Sequence, residues 1–464
     1  MRSRLLLSLA LVPLAHATPV LAPLFQDHAV LQSGKPLPIW GQAAPGERVS
    51  VSFAGQTVGS IAGADGRWSV SLAPLPANST GSDLTVAGKG SVTVRDVLVG
   101  EVWIAAGQAN MEHTLEDTPP SDRVDAAAAA SGGARYPLIR QFRVAPQAAS
   151  SPQDVVGGDW KVCSPQTLGR FSAVGFFFAR DLHTRLSVPV GIINVTWAVA
   201  PIESWEEASS APPATGASRA TPSAGGSSLA ADPRQASAVF NGMIHPLLPY
   251  GIRGAIWYDG EGDVGHASQY AARFQDVIQG WRARFGQGDF PFLWVQLANF
   301  RPQGSAGVGQ WALMREAQAQ ALALPATGQA VAIDIGEPGN PHPGGKAEVA
   351  RRLALIAKAN VYSIPEDFSG PVFRDAHPEG GAMRVHFLFA GEGLTASGRP
   401  LQAFEVAGAD HVFHPATASI DGDGVLVRCP SVAQPQSVRY AWSDSPDANL
   451  YNGAGLPAAP FRSK

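Results

Sequence analysis

Residues 101–112 read EVWIAAGQANME, and this stretch decides the fold. An apolar run, Glu101–Ala105, leads into a glycine and then into a polar segment. A short apolar run that ends in this way predicts a buried strand followed by a loop. Four later runs have the same form: Gly191–Trp197, Gly254–Tyr258, Phe292–Leu297 and Ala330–Ile335.

Helical patterns lie between these runs. The apolar residues from Tyr270 to Phe285 are spaced as one face of a helix, and Lys346 to Lys358 predicts another helix. Alternating strands and helices are typical of a mostly parallel sheet covered by helices on both faces. Residues 99–365 are therefore predicted to form a three-layer α/β/α domain, which makes the fold class α/β.

The flanking regions have β patterns. In residues 18–98, short alternating runs separated by turn signals predict an N-terminal β-sandwich module. Residues 366–464 predict a second, C-terminal β module. Residues 207–236 are dominated by Ser, Ala, Pro and Gly, a composition that indicates a flexible insertion in the α/β domain.

The N-terminus and the composition bear on location and partners. Residues 1–17 have a basic start, a short apolar centre and an Ala-His-Ala end, which predicts a signal peptide and hence a periplasmic or secreted protein. No later run is apolar enough to predict membrane insertion. The net charge of −4 gives no case for binding nucleic acid. Cys163 and Cys429, the two cysteines, could pair or remain as free thiols.

Polar residues follow the predicted strands, and in an open parallel sheet ligands bind beyond the carboxyl ends of strands. Loops from distant parts of the chain therefore converge at one edge and predict a site there. The candidate residues are, loop by loop, Gly107, Gln108, Ala109 and Asn110; Ala198 and Val199; Asp259, Gly260, Glu261 and Asp263; and Asp334, Asn340 and His342.

These segments resemble the sialate O-acetylesterase family of SGNH-type hydrolases, which includes acetylxylan-esterase-like members. The resemblance rests on runs such as DVLVGEVW, GQANME, FNGMIHPLLPYGIRGAIWY and RYAWSDSPDANLYNGAGLP, and it covers nearly the whole chain after the signal peptide. It implies removal of O-acetyl groups from sugars by a serine and a histidine, with no metal or other cofactor. It also implies that His342 is the base, and that Asp334 either orients this histidine or caps a strand.

The chain departs from the family pattern at the reacting centre. Ala109 stands where the resemblance implies the nucleophilic serine, and Ala198-Val199-Ala200 replaces Gly-Gly-Thr. Asp259 replaces a glutamine and is expected to bring negative charge near the oxyanion. Asp263 stands where asparagine is common, and Asn340 replaces an aspartate that would support the base.

Several functions stay open on this evidence. We expect an ester-hydrolase scaffold with negligible or severely impaired activity, because a methyl group at Ala109 cannot attack an ester. The alternatives are a non-catalytic binder of acetylated glycans, an exported structural or adhesive protein, and a scaffold in which another residue serves as nucleophile. The expected partner is an O-acetylated carbohydrate, either sialic acid or a plant-type glycan. The oligomeric state cannot be read from the sequence.

Overall fold

The computed structural model describes residues 18–122, 136–207, 231–303 and 309–463. The predicted signal peptide and most of the predicted insertion lie outside these ranges. Within them, no helix combines the length and the apolar character needed to cross a bilayer.

The N-terminal module contains seven strands before it joins the α/β domain. Apolar side chains at alternate positions of the fourth strand, Val49, Val51 and Phe53, are buried, as a half-buried strand requires. The strands are β1 (Val20–Leu21), β2 (Val30–Gln32), β3 (Leu37–Gln42), β4 (Arg48–Phe53), β5 (Gln56–Ile61), β6 (Arg67–Leu72) and β7 (Asn78–Ala87).

Strand β8 (Ser91–Gly107) connects this module to the α/β domain without a break. Its first half pairs antiparallel with β7 in the N-terminal module, and its second half lies in the centre of the α/β sheet. One hydrophobic cluster contains Val51 of the module together with Trp257 and Trp281 of the α/β domain. The predicted boundary at residue 98 therefore falls inside a single strand, and the two regions share a core.

The rest of the central sheet is β9 (Ile139–Val144), β10 (Gly158–Val162), β11 (Val190–Thr196), β12 (Gly254–Tyr258), β13 (Phe292–Gln296) and β14 (Thr327–Val331). Their order is β10-β9-β11-β8-β12-β13-β14, and only the β9–β10 pair is antiparallel along this path. The α/β prediction with a mostly parallel sheet is confirmed.

Helices cover both faces of the sheet. Phe176 and Leu353 lie in one hydrophobic cluster, whereas Phe274 and Met314 lie in the other. These residues belong to helices on opposite faces, so the domain has three layers. The α-helices are α1 (Ala109–Glu112), α2 (Ala173–Leu186), α3 (Ile202–Trp205), α4 (Ala267–Phe285), α5 (Gln310–Ala319) and α6 (Lys346–Asn360). The 3₁₀ segments are Leu168–Arg170, His245–Leu247, Glu261–His266 and Gln320–Ala323, and Phe240–Ile244 is a π-helix.

The last strand of the central sheet differs from its prediction. The apolar run Ala330–Ile335 predicts the strand, but β14 ends at Val331. Because β14 is the edge strand, it alternates buried and partly exposed residues, and the buried Ala332 and Ile333 belong to the loop that follows. Asp334 therefore lies beyond the end of the strand.

The C-terminal module has its own core, which includes Val385, Val425 and Tyr440. Its sheets have the orders β15-β16-β21-β20, β19-β18-β22-β24 and β17-β23. The strands are β15 (Val372–Glu379), β16 (Ala382–Leu388), β17 (Leu394–Thr395), β18 (Phe404–Ala407), β19 (His414–Pro415), β20 (Thr417–Asp421), β21 (Gly424–Arg428), β22 (Ser437–Tyr440), β23 (Tyr451–Asn452) and β24 (Phe461–Arg462).

The two cysteines do not pair. Cys163 is buried in a cluster of the α/β domain, and Cys429 is buried in the core of the C-terminal module. Of the two alternatives left open by the sequence, the structure therefore has the free thiols.

Candidate active site

Three of the predicted loops meet around the buried side chain of Gln108. Its Nε2 donates to the carbonyl oxygen of Ala200 at 2.7 Å, and its Oε1 accepts from the backbone N–H of Gly262 at 3.2 Å. Gln108 follows β8, Ala200 follows β11 and Gly262 follows β12, so one amide joins the loops at the carboxyl ends of three parallel strands.

Gly107 allows the first of these loops to pass close to β12. Its φ is +136°, and a β-carbon at this residue would lie 2.1 Å from the carbonyl oxygen of Tyr258. Since real β-carbons do not approach an oxygen so closely, no residue other than glycine fits here. The tight turn places the next residues at the edge of the sheet.

Ala109 is the first residue of α1 and borders an open cleft of about 710 Å³. This is the position expected for a nucleophile, and the structure presents only a methyl group there. The described residues that line the cleft are Ala109, Glu112, His113, Thr114, Glu116, Asp117, Arg143, Arg170 and Ala198. Among them Thr114 carries a hydroxyl, which donates to Asp117 at 2.8 Å.

Asn110 joins α1 to two other parts of the site. Its amide nitrogen donates to Glu261 and to the carbonyl oxygen of Pro341 at 3.0 Å, while its Oδ1 accepts from Lys346 Nζ at 2.5 Å. The family resemblance implies an asparagine-type donor to the oxyanion, but both donor directions of Asn110 are engaged and the side chain is buried. Asn110 therefore acts as a structural link between loops.

Burial shifts the pKa values of Lys346 and Glu261, the two ionisable side chains that contact Asn110. Desolvation lowers the pKa of Lys346 to about 8, although Glu261 acts in the opposite direction. Desolvation raises the pKa of Glu261, which Asn110 and Lys346 partly counter. The Lys346 ammonium also lies 5.5 Å from the centre of the Tyr258 ring. A buried cation is thus retained between Asn110 and the Tyr258 ring at neutral pH.

His342 lies in the loop between β14 and α6, beside the end of α1. Its ring is 4.8 Å, centre to centre, from the ring of His113. The backbone N–H of His113 donates to the carbonyl oxygen of Ala109. Desolvation and the Lys346 charge lower the pKa of His342, which keeps the ring neutral at pH 7, as a general base requires. Asn340 supports it through the backbone, since its Oδ1 accepts from the His342 N–H at 2.9 Å.

Asp334 does not orient His342. Both of its carboxylate oxygens accept from the Arg352 guanidinium, at 2.7 and 2.9 Å. Arg352 also donates to the carbonyl oxygen of Val331, the last residue of β14. Within the described part of the chain, no side chain hydrogen-bonds to the His342 ring. Asp334 therefore fixes the loop after β14 against α6.

Asp259 does not face the cleft, because its side chain is fully buried. Tyr270 of α4 donates to its Oδ1 at 3.5 Å. Burial, reinforced by the nearby Asp263 and Glu261, raises the pKa of Asp259 well above its usual value. The structure thus holds this carboxyl group away from the cleft surface, where burial disfavours its charged form.

The remaining residues of this loop are also buried or strained. Gly260 has φ +125°, in the region that favours glycine. Asp263 is 3% exposed, and both of its oxygens accept from the Ile202 N–H at 3.3 Å. Burial raises the pKa of Asp263 to about 7. Asp263 therefore anchors α3 to the loop after β12.

The loop after β11 exposes side chains at the cleft. Ala198 borders the cleft beside Ala109, and Val199 is 60% exposed. Neither residue has a positive φ. The loop thus takes a conformation open to ordinary residues, and side chains occupy the edge where the resemblance implies two glycines.

Most residues that line the cleft were not among the candidates chosen from the sequence; His113, Arg143 and Arg170 are examples, and the buried Lys346 was also missed. Helical spacing could have found His113, which lies one turn after Ala109. The position of Lys346, four residues after His342 at the start of a helix, was a second usable signal. Arg143 and Arg170 reach the cleft from separate parts of the fold, and no local pattern marks them.

Taken together, the site holds a neutral histidine, buried charged groups and a methyl group at the position where the resemblance implies a nucleophile. Such a cleft can bind a polar ligand, and His342, whose ring contacts that of His113 in the cleft wall, can accept a proton. It has no hydroxyl or thiol at Ala109 with which to form a covalent acyl intermediate.

Comparison with known proteins agrees with this architecture. The family described as carbohydrate esterase, sialic acid-specific acetylesterase, matches residues 99–357. Human sialate O-acetylesterase is 31% identical over 374 residues, which cover 72% of this chain and 69% of the human protein. The rat sialate O-acetylesterase is 27% identical and covers 92% of this chain and 90% of its own length.

A solved structure extends the similarity to the whole fold. A carbohydrate acetylesterase from Xanthomonas citri is 43% identical, with a TM-score of 0.88, and the alignment covers 96% of this chain and 99% of that one. The fold is that of an SGNH-like carbohydrate esterase with accessory β modules. The chain belongs to the sialate O-acetylesterase family.

Proposed function

We propose that this chain binds an O-acetylated carbohydrate in the cleft beside Ala109 and does not hydrolyse it at the rates of an ordinary esterase. The observation that carries the proposal is the side chain of Ala109, a methyl group on the first residue of α1. The surrounding scaffold, from Gln108 to His342, supports binding without supplying a nucleophile.

The magnitude of the expected defect follows from serine hydrolases in general. Loss of the nucleophilic serine lowers turnover by roughly 10⁶, and the remaining site accelerates the reaction over water by roughly 10³ to 10⁴. In this chain the exposed side chains of Ala198 and Val199 also stand at the expected donor loop. Even the remaining acceleration is therefore expected to be small.

The cleft favours a polar ligand of sugar size. Its walls carry two positively charged side chains, Arg143 and Arg170, and two carboxylates, Glu112 and Asp117. Guanidinium and carboxylate groups suit sugar hydroxyls because they offer hydrogen-bond donors and acceptors. The relatives are named as sialate O-acetylesterases and as a carbohydrate acetylesterase. The proposed ligand class is accordingly an acetylated sugar, either sialic acid or a neutral glycan.

Calorimetric titration with two ligands tests the binding. O-acetylated sialic acid and an acetylated xylo-oligosaccharide are each titrated into the chain, with the de-acetylated sugars as matched controls. We expect saturable binding of one acetylated ligand, weaker binding of its de-acetylated form, and loss of binding in Ala109→Phe, whose ring would fill the cleft beside α1. If neither acetylated ligand bound, the structural or adhesive alternative would be favoured.

The proposal includes export of the protein. It is supported by the basic and apolar pattern of residues 1–17, which ends in Ala-His-Ala. N-terminal sequencing of the protein made in its own host is expected to begin at Thr18. A mature protein that still began at Met1 would contradict export by this route.

A further inference from the structure

We propose that Asp375, His377 and His386 of the C-terminal module form a binding site for a first-row divalent transition-metal ion, such as Zn²⁺. One potential ligand atom from each of these three side chains lies within 4.8 Å of the others. The site lies on a β-sheet of the C-terminal module and is separate in sequence from the residues of the cleft.

The strand register brings the three side chains to one face. Asp375 of β15 pairs directly with His386 of β16, and His377 pairs with Arg384. Residues 375 and 377 are two apart on one strand, so their side chains point to the same side as that of His386. Adjacent strands therefore supply three ligands without any contribution from a loop.

A β-bulge selects the residue that faces His386. The register shifts between Phe373 and Asp375, so that Arg374 is the extra residue and Asp375 takes the position opposite His386. In a regular ladder that position would belong to Arg374, whose charge would repel a metal ion. The bulge places a carboxylate there instead.

The distances require only small adjustments. His386 Nδ1 lies 2.8 Å from Asp375 Oδ1, and His377 Nδ1 lies 4.0 Å from the same oxygen. A tetrahedral ion about 2.1 Å from each ligand atom holds these atoms about 3.4 Å apart. The side chains of Asp375 and His377 are about half exposed, at 49% and 52%, and are therefore free to rotate by the small amount required.

The surrounding charges permit a cation. Arg374 donates to Asp375 Oδ2 at 2.7 Å, whereas Oδ1 is hydrogen-bonded to His386 Nδ1 at 2.8 Å, a bond that the ion would replace. The Arg384 charge is neutralised by Glu379 and Asp421, at 2.8 and 2.7 Å. When His386 carries its proton on Nε2, Nδ1 offers its lone pair, so neutral imidazole binds without a net loss of protons.

The ligand set determines the class of ion. Two imidazoles and one carboxylate suit Zn²⁺, Cu²⁺ or Ni²⁺, whereas Mg²⁺ and Ca²⁺ prefer sites made of oxygen alone. Three protein ligands leave one position for water, as in zinc sites with an open coordination position. The site is exposed, so the ion can reach it without opening the fold.

Zinc titration of the full chain, purified without a histidine tag, tests the proposal. We expect one zinc ion per chain at this site, and a loss of affinity of at least about tenfold in each of Asp375→Asn, His377→Ala and His386→Ala. His414→Ala, in the same module, is the matched control and should bind like the unaltered chain. Unfolding temperatures in the presence of a chelator should be equal for all variants.

Two results would overturn the site. The first is the absence of stoichiometric zinc binding to the unaltered chain. The second is zinc binding that survives all three ligand substitutions but is lost in His342→Ala, which would place the ion in the cleft near His113. Magnesium that bound as tightly as zinc would contradict the assigned class of ion.

Discussion

At the scale of single residues, Gly107 and Gln108 fix the loop that carries Ala109, the position at which we expect a nucleophile in this family. Gly107 still makes the close approach to Tyr258, and Gln108 still joins the loops after three strands. These contacts depend on the backbone and on an amide, so they do not need a serine at residue 109. The loop is therefore assembled independently of the side chain at residue 109.

Restoring the serine tests which defect dominates. Ala109→Ser should gain measurable but slow acetate release, because His342 is neutral while Ala198 and Val199 still occupy the donor loop. Adding Ala198→Gly and Val199→Gly should raise turnover by about a hundredfold, the typical worth of one oxyanion donor. A triple variant no faster than Ala109→Ser would show that this loop is not the second defect.

The buried carboxyl of Asp263 predicts a dependence of stability on pH. Its folded pKa of about 7 lies above its usual value of 3.8, so the folded state binds more protons between these two values. Stability from this group therefore falls as pH rises from about 4 to 7, and the full penalty remains above pH 7.

Asp263→Asn removes this titration and keeps an oxygen that can accept from the Ile202 N–H. We expect the variant to be more stable than the unaltered chain at pH 8, on the order of 2 kcal/mol, with a smaller difference at pH 5. Urea unfolding at both pH values measures this, with the exposed Asp289→Asn as control. An equal difference at pH 5 and pH 8 would refute the pKa assignment.

At the scale of elements, the sequence predicted the inner strands well and the edges poorly. The runs at Gly254–Tyr258 and Phe292–Leu297 are buried on both faces and appear as continuous apolar stretches. The edge strand β14 alternates buried and partly exposed residues. The apolar pattern therefore placed the predicted strand a few residues too late, at Ala330–Ile335. The length of β8 was also missed, because its pattern changes from alternating to fully apolar where it passes between modules.

Arg315 of α5 links the C-terminal module to the α/β domain by hydrogen bonds. This fully buried guanidinium donates to the carbonyl oxygens of Leu297 and Ala298 in the α/β domain and of Ser443 and Asp444 in the C-terminal region, at 2.8 to 2.9 Å. Arg315→Met leaves these buried acceptors without a donor and should lower the free energy of unfolding by about 3 kcal/mol.

Arg462→Met is the matched control for this substitution. Arg462 of β24 pairs with Glu316, which lies on α5 next to Arg315. The Arg462 side chain is 49% exposed, so its loss should cost less than about 1 kcal/mol. Urea unfolding of both variants gives the comparison. Equal losses of stability would contradict the role of Arg315 as the buried link between the regions.

At the scale of the whole molecule, the positions of the two cysteines make a simple prediction. Burial raises the pKa of the Cys163 thiol to about 12, and Cys429 is buried in another core. A thiol reagent should therefore label the folded chain slowly and label two thiols after unfolding without a reductant. No labelling after unfolding would indicate a disulfide in the isolated protein.

The candidate site was partly predictable at this scale. The loops at the carboxyl ends of the strands could be placed from the order of elements, because parallel strands end at the same edge. The partners of individual side chains could not. Arg352 binds the carboxylate of Asp334, and burial raises the pKa of Asp259, and both effects depend on residues distant in sequence.

The metal site illustrates the same limit. Asp375, His377 and His386 have no motif spacing, and they meet only because a bulge sets the register of β15 against β16. A sequence pattern alone gives the strands without giving this one-residue shift.

The most direct test of the central claim is the rate of acetate release by the unaltered chain from nitrophenyl acetate and from an acetylated sugar, with His342→Ala as the background. We predict that both proteins release acetate equally slowly, far below the roughly 10 s⁻¹ of a typical enzyme. Turnover near that rate, abolished in His342→Ala, would contradict the account. A parallel measurement on Thr114→Val would then show whether the hydroxyl in the cleft is the nucleophile.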